Sequence, residues 1–283
     1  MIERGRAPVA SSGELLPRSA ARRRLLRQAL ATAAAVAAPG LRAQTPAATV
    51  AAASDLKFAL EEIAADFERA GGARLRLVFG SSGNLSSQIL QGAPFHLFLS
   101  ADEAFVFRLA DAGRTVDRGR LYAVGRIGLL VPQGSPLRPD GTLQDLRAAI
   151  ADGRLRRFAI ANPAHAPYGM RAREALQHAG LWDALQPHLV LGENVSQAAQ
   201  FATAGAVQGG LVAHSIALAP AVARQVRFDL VPAHWHRPLR QRMALLRGAP
   251  AAARDFHDHL ATPSAQAALA RHGFEIPHPP ARE

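Results

Sequence analysis

The chain has 283 residues, a formal net charge of +11 and no cysteine. Without cysteine it forms no disulfide, holds no metal through thiolates and carries no lipid on a cysteine. Residues 1–43 contain eight arginines against two glutamates and hold +6 of the charge, which leaves +5 for residues 44–283. That remainder is scattered without a run of like charges, which speaks against nucleic-acid binding.

The first 43 residues have the order of a secretory signal. A basic stretch at 22–27 precedes an apolar, alanine-rich run at 29–38, and small residues follow up to Ala43. The apolar run is shorter than the roughly 20 residues that span a bilayer. We therefore expect removal of this segment and export to the periplasm as a soluble protein without a membrane anchor. The paired arginines fit the twin-arginine route as well as the general secretory route.

From residue 49 onward, short apolar runs alternate with segments of helical period. This rhythm predicts parallel strands covered by helices. The predicted strands are 49–53, 75–79, 96–99, 127–131, 158–161, 210–213 and 243–246. The predicted helices are 60–67, 84–90, 103–112, 143–151 with Thr142 as its cap, 171–179, 194–204, 251–260 and 264–271.

Two chain crossings, near Gly125 and near Arg240, divide the predicted elements into two lobes. The first lobe combines residues 48–124 with 241–276, and the second comprises residues 125–240. The last residues, 277–283, include two adjacent prolines and are expected to be a disordered tail.

At four places the sequence has the order of a buried strand, a small polar or glycine-rich turn and the start of a helix. The turns are Ala53-Ser54-Asp55, Gly80-Ser81-Ser82-Gly83-Asn84, Pro167-Tyr168-Gly169 and Glu193-Asn194-Val195-Ser196. The first turn of a helix presents unpaired N–H groups and the positive end of the helix dipole, so several such turns facing one cleft can hold an anion. Each turn taken alone is also explained by ordinary capping, since Ser, Asp and Asn are preferred N-caps.

The order of these motifs resembles the periplasmic molybdate-binding proteins of ABC importers. The resemblance runs over residues 48–276. It rests on VAAASDL at 50–56, FGSSGNL at 79–85, QGAPFHLFLSAD at 91–102, NPAHAPYG at 162–169, GENV at 192–195 and RHGF at 271–274.

The resemblance implies a two-lobed type II periplasmic-binding fold, with a mostly parallel sheet flanked by helices in each lobe and the ligand between them. It also implies that Ser54 and Ser82 donate hydroxyl and backbone N–H groups to molybdate or tungstate, and that Tyr168 and Val195 donate backbone N–H groups. No protein atom would bond the metal and no cofactor would be needed. The protein would be a monomer that serves a permease with its cytoplasmic ATPase, and not an enzyme. Several relatives have a tyrosine hydroxyl where this chain has Ala213.

Other interpretations stay open at this point. The ligand could be sulfate or phosphate. Asp55 could lie inside the site, where an ionised carboxylate repels a dianion and accepts from a protonated one, or it could point to solvent from the first helical turn. An exported hydrolase using Ser54, Ser81 or Ser82 with a histidine is a further alternative, although no G-x-S-x-G motif accompanies them. Most histidines, including pairs at 234/236 and 257/259, are expected at the surface, and His165 is expected to be structural.

Overall fold

The computed structural model describes residues 47–277. The predicted signal segment, its cleavage point and most of the predicted tail lie outside the described residues. The strands are β1 Ala48–Ala53, β2 Leu75–Gly80, β3 Leu97–Ser100, β4 Arg120–Gly125, β5 Ile127–Pro132, β6 Phe158–Ala161, β7 Leu189–Gly192, β8 Gly209–Ala213, β9 Val226–Leu230 and β10 Leu239–Leu245.

The helices follow most of the strands. They are α1 Lys57–Arg69, α2 Ser82–Leu90, α3 Glu103–Asp111, α4 Gln144–Ala151, α5 Pro167–His178, α6 Trp182–Leu185, α7 Val195–Thr203, α8 His214–Ala217, α9 Pro220–Ala223, α10 Ala251–His259 and α11 Pro263–Arg271. Short 3-10 helices occupy Ser54–Leu56, Gln186–His188 and Ala233–Trp235.

Two five-stranded sheets share one plan. Their strand orders are β2-β1-β3-β10-β4 in lobe 1 and β7-β6-β8-β5-β9 in lobe 2. In each sheet three parallel strands are followed by one antiparallel strand, β10 or β5, which pairs with a last strand at the edge. The carboxyl ends of the parallel strands carry the four turns singled out in the sequence.

The chain passes between the sheets twice. A single residue, Arg126, separates β4 from β5, and residues 231–238 lead from β9 back to β10. The Arg126 guanidinium donates to the Glu275 carboxylate at 2.8 Å and to the Val231 carbonyl at 3.3 Å. One side chain thus holds both crossing segments and the end of the described chain together.

The strand β1 of lobe 1 forms because it is buried, and not because its residues favour strands. Alanine is depleted in strands, yet four of the six residues of β1 are alanines. Residues Val50 to Ala52 are completely buried because β1 pairs with a strand on each side and helices cover both faces of the sheet.

Several local predictions were wrong. Thr142 does not cap α4, because the Asp140 carboxylate accepts from the N–H of Gln144 at 2.6 Å and Leu143 is left-handed with φ 59°. Helix α5 begins at Pro167 rather than at residue 171. Proline suits a first helical position because its missing N–H would have no intrahelical partner there. Strand β9 was not predicted, because at the sheet edge its exposed charged residues interrupt the apolar run.

Candidate functional site

The four turns meet in a small cavity between the lobes. The empty space between its walls is about 180 Å³, part of which is open to solvent. Its walls are Ala53, Ser54, Asp55, Gly80, Ser81, Ser82, Ala101, Ala166, Pro167, Tyr168, Asn194 and Val195. The volume open to the centre of a water-sized sphere is about 10 Å³, roughly the room for one water molecule, so this cavity suits a small ion and not a sugar or a peptide.

Three long helices direct their first turns at the cavity. Ser82 and Val195 are the first residues of α2 and α7, and Tyr168 is the second residue of α5. N–H groups at these positions have no acceptor within their own helix, and the helix dipole makes this end positive. The cavity is therefore lined by donors that carry no formal charge.

Ordinary capping is done by the neighbouring residues. The Ser81 hydroxyl accepts from the Asn84 N–H at 3.4 Å, and the Asn194 side chain accepts from the Gln197 N–H at 3.1 Å. Capping of α2 and α7 uses the side chains of Ser81 and Asn194 and the N–H groups of Asn84 and Gln197. The N–H groups of Ser82 and Val195 take no part in it. The residues that cap these two helices are thus different from Ser82 and Val195, which line the cavity beside them.

Two buried serine hydroxyls complete the donor set. The Ser82 hydroxyl accepts from the Ala101 N–H at 3.0 Å, and the Ser54 hydroxyl accepts from the Ser196 N–H at 3.4 Å. A hydroxyl oxygen that accepts from a backbone N–H keeps its own proton for another acceptor. Both hydroxyls line the cavity, so each can donate that proton to an anion inside it.

The Asp55 side chain does not point to solvent, so that interpretation was wrong. Asp55 is 1% exposed. Its Oδ2 accepts from the Tyr168 hydroxyl at 3.0 Å and from the Gln241 amide at 2.6 Å. Burial raises the pKa of this carboxyl to about 6, against the opposing effect of the hydrogen bonds from Gln241 and Tyr168.

The network around Asp55 extends to a second phenol. The Tyr122 hydroxyl donates to Gln241 Oε1 at 2.7 Å. Burial, and then the charge of Asp55, raise the pKa of both Tyr122 and Tyr168 well above the usual value, so both phenols stay neutral. Sequence reasoning missed Gln241 and Tyr122. A signal for Gln241 exists, since the period of a strand places it on the buried face with Leu239 and Met243.

Hydrogen bonds and an ion pair connect the lobes around the cavity. His165 Nδ1 lies 2.8 Å from the Ser81 hydroxyl, and the His165 carbonyl accepts from the Gly83 N–H at 3.0 Å. Further bonds join the Ser196 hydroxyl to the Ser54 carbonyl, Ser215 to the Asp55 carbonyl, Asn84 to Glu193, and Arg171 to Asp102. The lobes are closed over the cavity, and the contacts of His165 join one lobe to the other.

The pairing of Ser81 with His165 does not have the order of a hydrolytic triad. There the serine bonds to Nε2 of the base and the acid to Nδ1. Here Ser81 bonds to Nδ1, and the Glu193 carboxylate lies 3.7 Å from Nε2 with a side chain that is 57% exposed. The hydroxyl also caps a helix, so its contacts are those of a structural residue.

Ala213 brings no donor to the cavity. It is the last residue of β8 and completely buried, and its methyl group does not line the cavity.

The prediction that His236 lies at the surface was wrong. The side chain is buried, at 8% exposure, and its Nδ1 lies 2.8 Å from the Arg237 carbonyl. Within residues 47–277 no group of three His, Asp or Glu side chains is placed to hold a metal ion. In the same range no helix is both long and apolar enough to cross a membrane.

Two α/β lobes that close over a small cavity lined by helix N-termini define a solute-binding protein whose ligand is a small anion. The chain belongs to the family of bacterial extracellular solute-binding proteins, whose sequence profile matches residues 48–275.

Individual relatives are similar over most of their length. The molybdate-binding protein ModA of Rhodobacter capsulatus is 36% identical over 217 residues, which cover 76% of this chain and 82% of the relative. That of Azotobacter vinelandii is 32% identical over 237 residues, covering 83% and 92%. The solved structure of the Azotobacter vinelandii periplasmic molybdate-binding protein matches with a TM-score of 0.74 at 28% identity, over 82% of this chain and 100% of that chain. These likenesses confirm the family resemblance and the two-lobed fold class.

Proposed function

We propose that the protein binds molybdate, or tungstate, in the periplasm and delivers it to an ABC importer. The observation that carries this proposal is the small cavity on which neutral donors from four turns converge. The similarity to proteins named for molybdate binding supports the choice of oxyanion.

The proposed contacts are hydrogen bonds to the oxygens of the ion. Ser54 and Ser82 donate through hydroxyl and N–H groups, and Tyr168 and Val195 donate through N–H groups. No protein atom bonds the metal, and the protein acts as a binding protein without a cofactor. These bonds are strong because closure of the lobes removes competing water.

Selectivity follows from size and protonation. Sulfate has the same shape and charge as molybdate but shorter bonds, so donors fixed by closed lobes lie too far from its oxygens. Near neutral pH phosphate usually carries a proton, and the N–H and hydroxyl donors of the turns leave that proton without an acceptor unless the Asp55 carboxyl accepts it. Molybdate and tungstate have nearly the same shape and charge, so we expect both to bind.

Calorimetric titration against molybdate, tungstate, sulfate and phosphate tests the proposal. We expect tight binding of the first two ions only. Tight phosphate binding would instead make Asp55 an acceptor inside the site and reject the molybdate assignment. A phosphonylating reagent that labels the active-site serine of hydrolases tests the alternative that the protein is a hydrolase. We expect no labelling of Ser54, Ser81 or Ser82.

Delivery to an importer requires that the protein is exported to the periplasm and contacts the permease. We propose that the mature protein is a monomer that begins within a few residues of Gln44 and docks on a permease with its cytoplasmic ATPase. The intact mass of protein from a periplasmic fraction tests the cleavage point, and an uncleaved chain there would contradict it.

A further inference from the structure

One of the residues that line the anion cavity, Asp55, is acidic. It lies next to Ser54, and its side chain is almost completely buried. Oδ2 is occupied by two donors, but Oδ1 is buried and has no hydrogen-bond partner among residues 47–277. A buried carboxylate oxygen without a donor is costly, so it needs an explanation.

The groups that face Asp55 are neutral, and they include the backbone N–H groups of Asp55 and Leu56, whose hydrogen bonds lower the pKa of its carboxyl. Strand β4 contributes the Tyr122 phenol, α5 the Tyr168 phenol and β10 the neutral Gln241 amide. From α8, Ser215 reaches only the Asp55 backbone carbonyl. No Lys, Arg or His within the described part of the chain forms an ion pair or a hydrogen bond with the Asp55 carboxyl, so its charge repels a second negative charge in the same enclosure.

This repulsion disappears if the Asp55 carboxyl is neutral whenever an anion occupies the cavity. We propose that the protein takes up one proton on Asp55 when it binds an oxyanion, so that the ion and the proton bind together. One O–H bond forms, on Oδ1, and the proton comes from the surrounding water or buffer. This inference rests on the proposed function, because it concerns the same cavity.

Proton uptake makes affinity depend on pH in a definite direction. In the free protein the pKa of Asp55 is about 6, and a dianion in the cavity raises it further. Below about pH 6 the acid is already neutral, so affinity is flat. Above that value affinity falls by up to about tenfold for each pH unit, until the pKa of the complex is reached.

Titration calorimetry with molybdate on the wild-type protein measures the uptake directly. Near neutral pH, where the free acid is ionised, the heat should depend on the ionisation enthalpy of the buffer with a slope close to one proton taken up per ion. Affinity measured from about pH 6 to about pH 8 should fall by roughly one to two decades. This test needs no variant.

Three variants locate the proton. Asp55→Asn should bind molybdate with an affinity independent of pH and with buffer-independent heats. Tyr168→Phe removes a hydrogen bond that lowers the pKa of Asp55 but keeps the backbone N–H, so its affinity should begin to fall at a higher pH. Asp111→Asn, at an exposed carboxylate paired with Arg118, is the matched control and should behave as wild type.

The outcomes separate the two ideas. If wild type binds molybdate with buffer-independent heats and a flat pH profile, proton uptake is refuted while the proposed function stands. Retention of the slope in a folded Asp55→Asn variant would likewise refute Asp55 as the proton acceptor. If no oxyanion binds at any pH, the proposed function fails and this inference fails with it.

Discussion

The backbone N–H of Gly83 in lobe 1 donates to the carbonyl of His165 in lobe 2 at 3.0 Å, and no side chain would fit between them. A Cβ atom on Gly83 would lie 2.5 Å from that carbonyl oxygen, closer than any ordinary contact. Glycine at this position allows the lobes to approach each other beside the cavity.

Gly83→Ala should therefore block closure without unfolding the protein. Gly83 is the second residue of α2 and has no positive φ, so alanine fits its backbone and favours the helix by up to about 1 kcal/mol. We expect molybdate affinity to fall by at least about tenfold, which corresponds to 1.4 kcal/mol, while the melting temperature of the ligand-free protein stays the same or rises. Ser87→Ala, in the same helix, is the control. Wild-type affinity in Gly83→Ala would show that closure at this contact is not needed.

Ser82→Ala should weaken the anion site. The substitution removes one hydroxyl donor to a charged ligand, a loss of roughly 1.5–3 kcal/mol or about one to two decades in affinity. It also leaves the Ala101 N–H without an acceptor, so the ligand-free protein should lose about 1–3 kcal/mol. Calorimetry and urea unfolding measure the two effects. Ser264→Ala, at an exposed serine, should change neither, and equal affinity in both variants would remove Ser82 from the site.

Molybdate should stabilise the wild-type protein far more than sulfate or phosphate. A ligand at 100 times its dissociation constant adds about 2.7 kcal/mol to the free energy of unfolding. For a chain of this size 1 kcal/mol moves the melting temperature by roughly 2–4 °C, so we expect a rise of about 5–10 °C. Thermal melting with each ion checks this, and an equal rise with phosphate would contradict the order of selectivity.

Asp55→Asn should stabilise the ligand-free protein above neutral pH. The pKa of Asp55 is raised from 3.8 to about 6 in the folded state, so the stability associated with its proton is present below about pH 4 and is lost as pH rises through 6. At about pH 8 the free energy of unfolding of the wild type is therefore lower by about 3 kcal/mol than at low pH, and a neutral side chain at this position avoids that loss. Urea unfolding of both proteins at about pH 4 and about pH 8 tests the sign. A difference that does not grow with pH would show that Asp55 is not destabilised by its charge.

Affinity for molybdate should depend only weakly on salt. The four turns at the cavity contain no Lys or Arg, and interactions between buried groups are screened much less than those at the surface. Titrations at low and high ionic strength provide the measurement. A steep loss of affinity with salt would indicate an exposed site that depends on the basic surface.

Local chemistry accounts for the part of the site that could be predicted from the amino-acid sequence. A strand that ends in Ser81-Ser82-Gly83 or Asn194-Val195 carries its own capping residues and its own start of a helix, so the direction of the first N–H groups follows from neighbours in the chain. Family motifs then placed these turns in one cleft. The alternation of apolar strands and amphipathic helices likewise indicated the fold, because each element must bury one face.

The tertiary structure alone decided the environment of Asp55. Its partners, Tyr168 and Gln241, lie 113 and 186 residues away along the chain. No local pattern distinguishes a first-turn carboxylate that faces water from one that is buried, since the helix dipole favours a carboxylate in either environment. Asp55 lies in the 3-10 helix Ser54–Leu56, and its side chain contacts β10 of lobe 1 and α5 of lobe 2. Burial between these elements raises the pKa of the carboxyl, so this cost arises only when both lobes are in place.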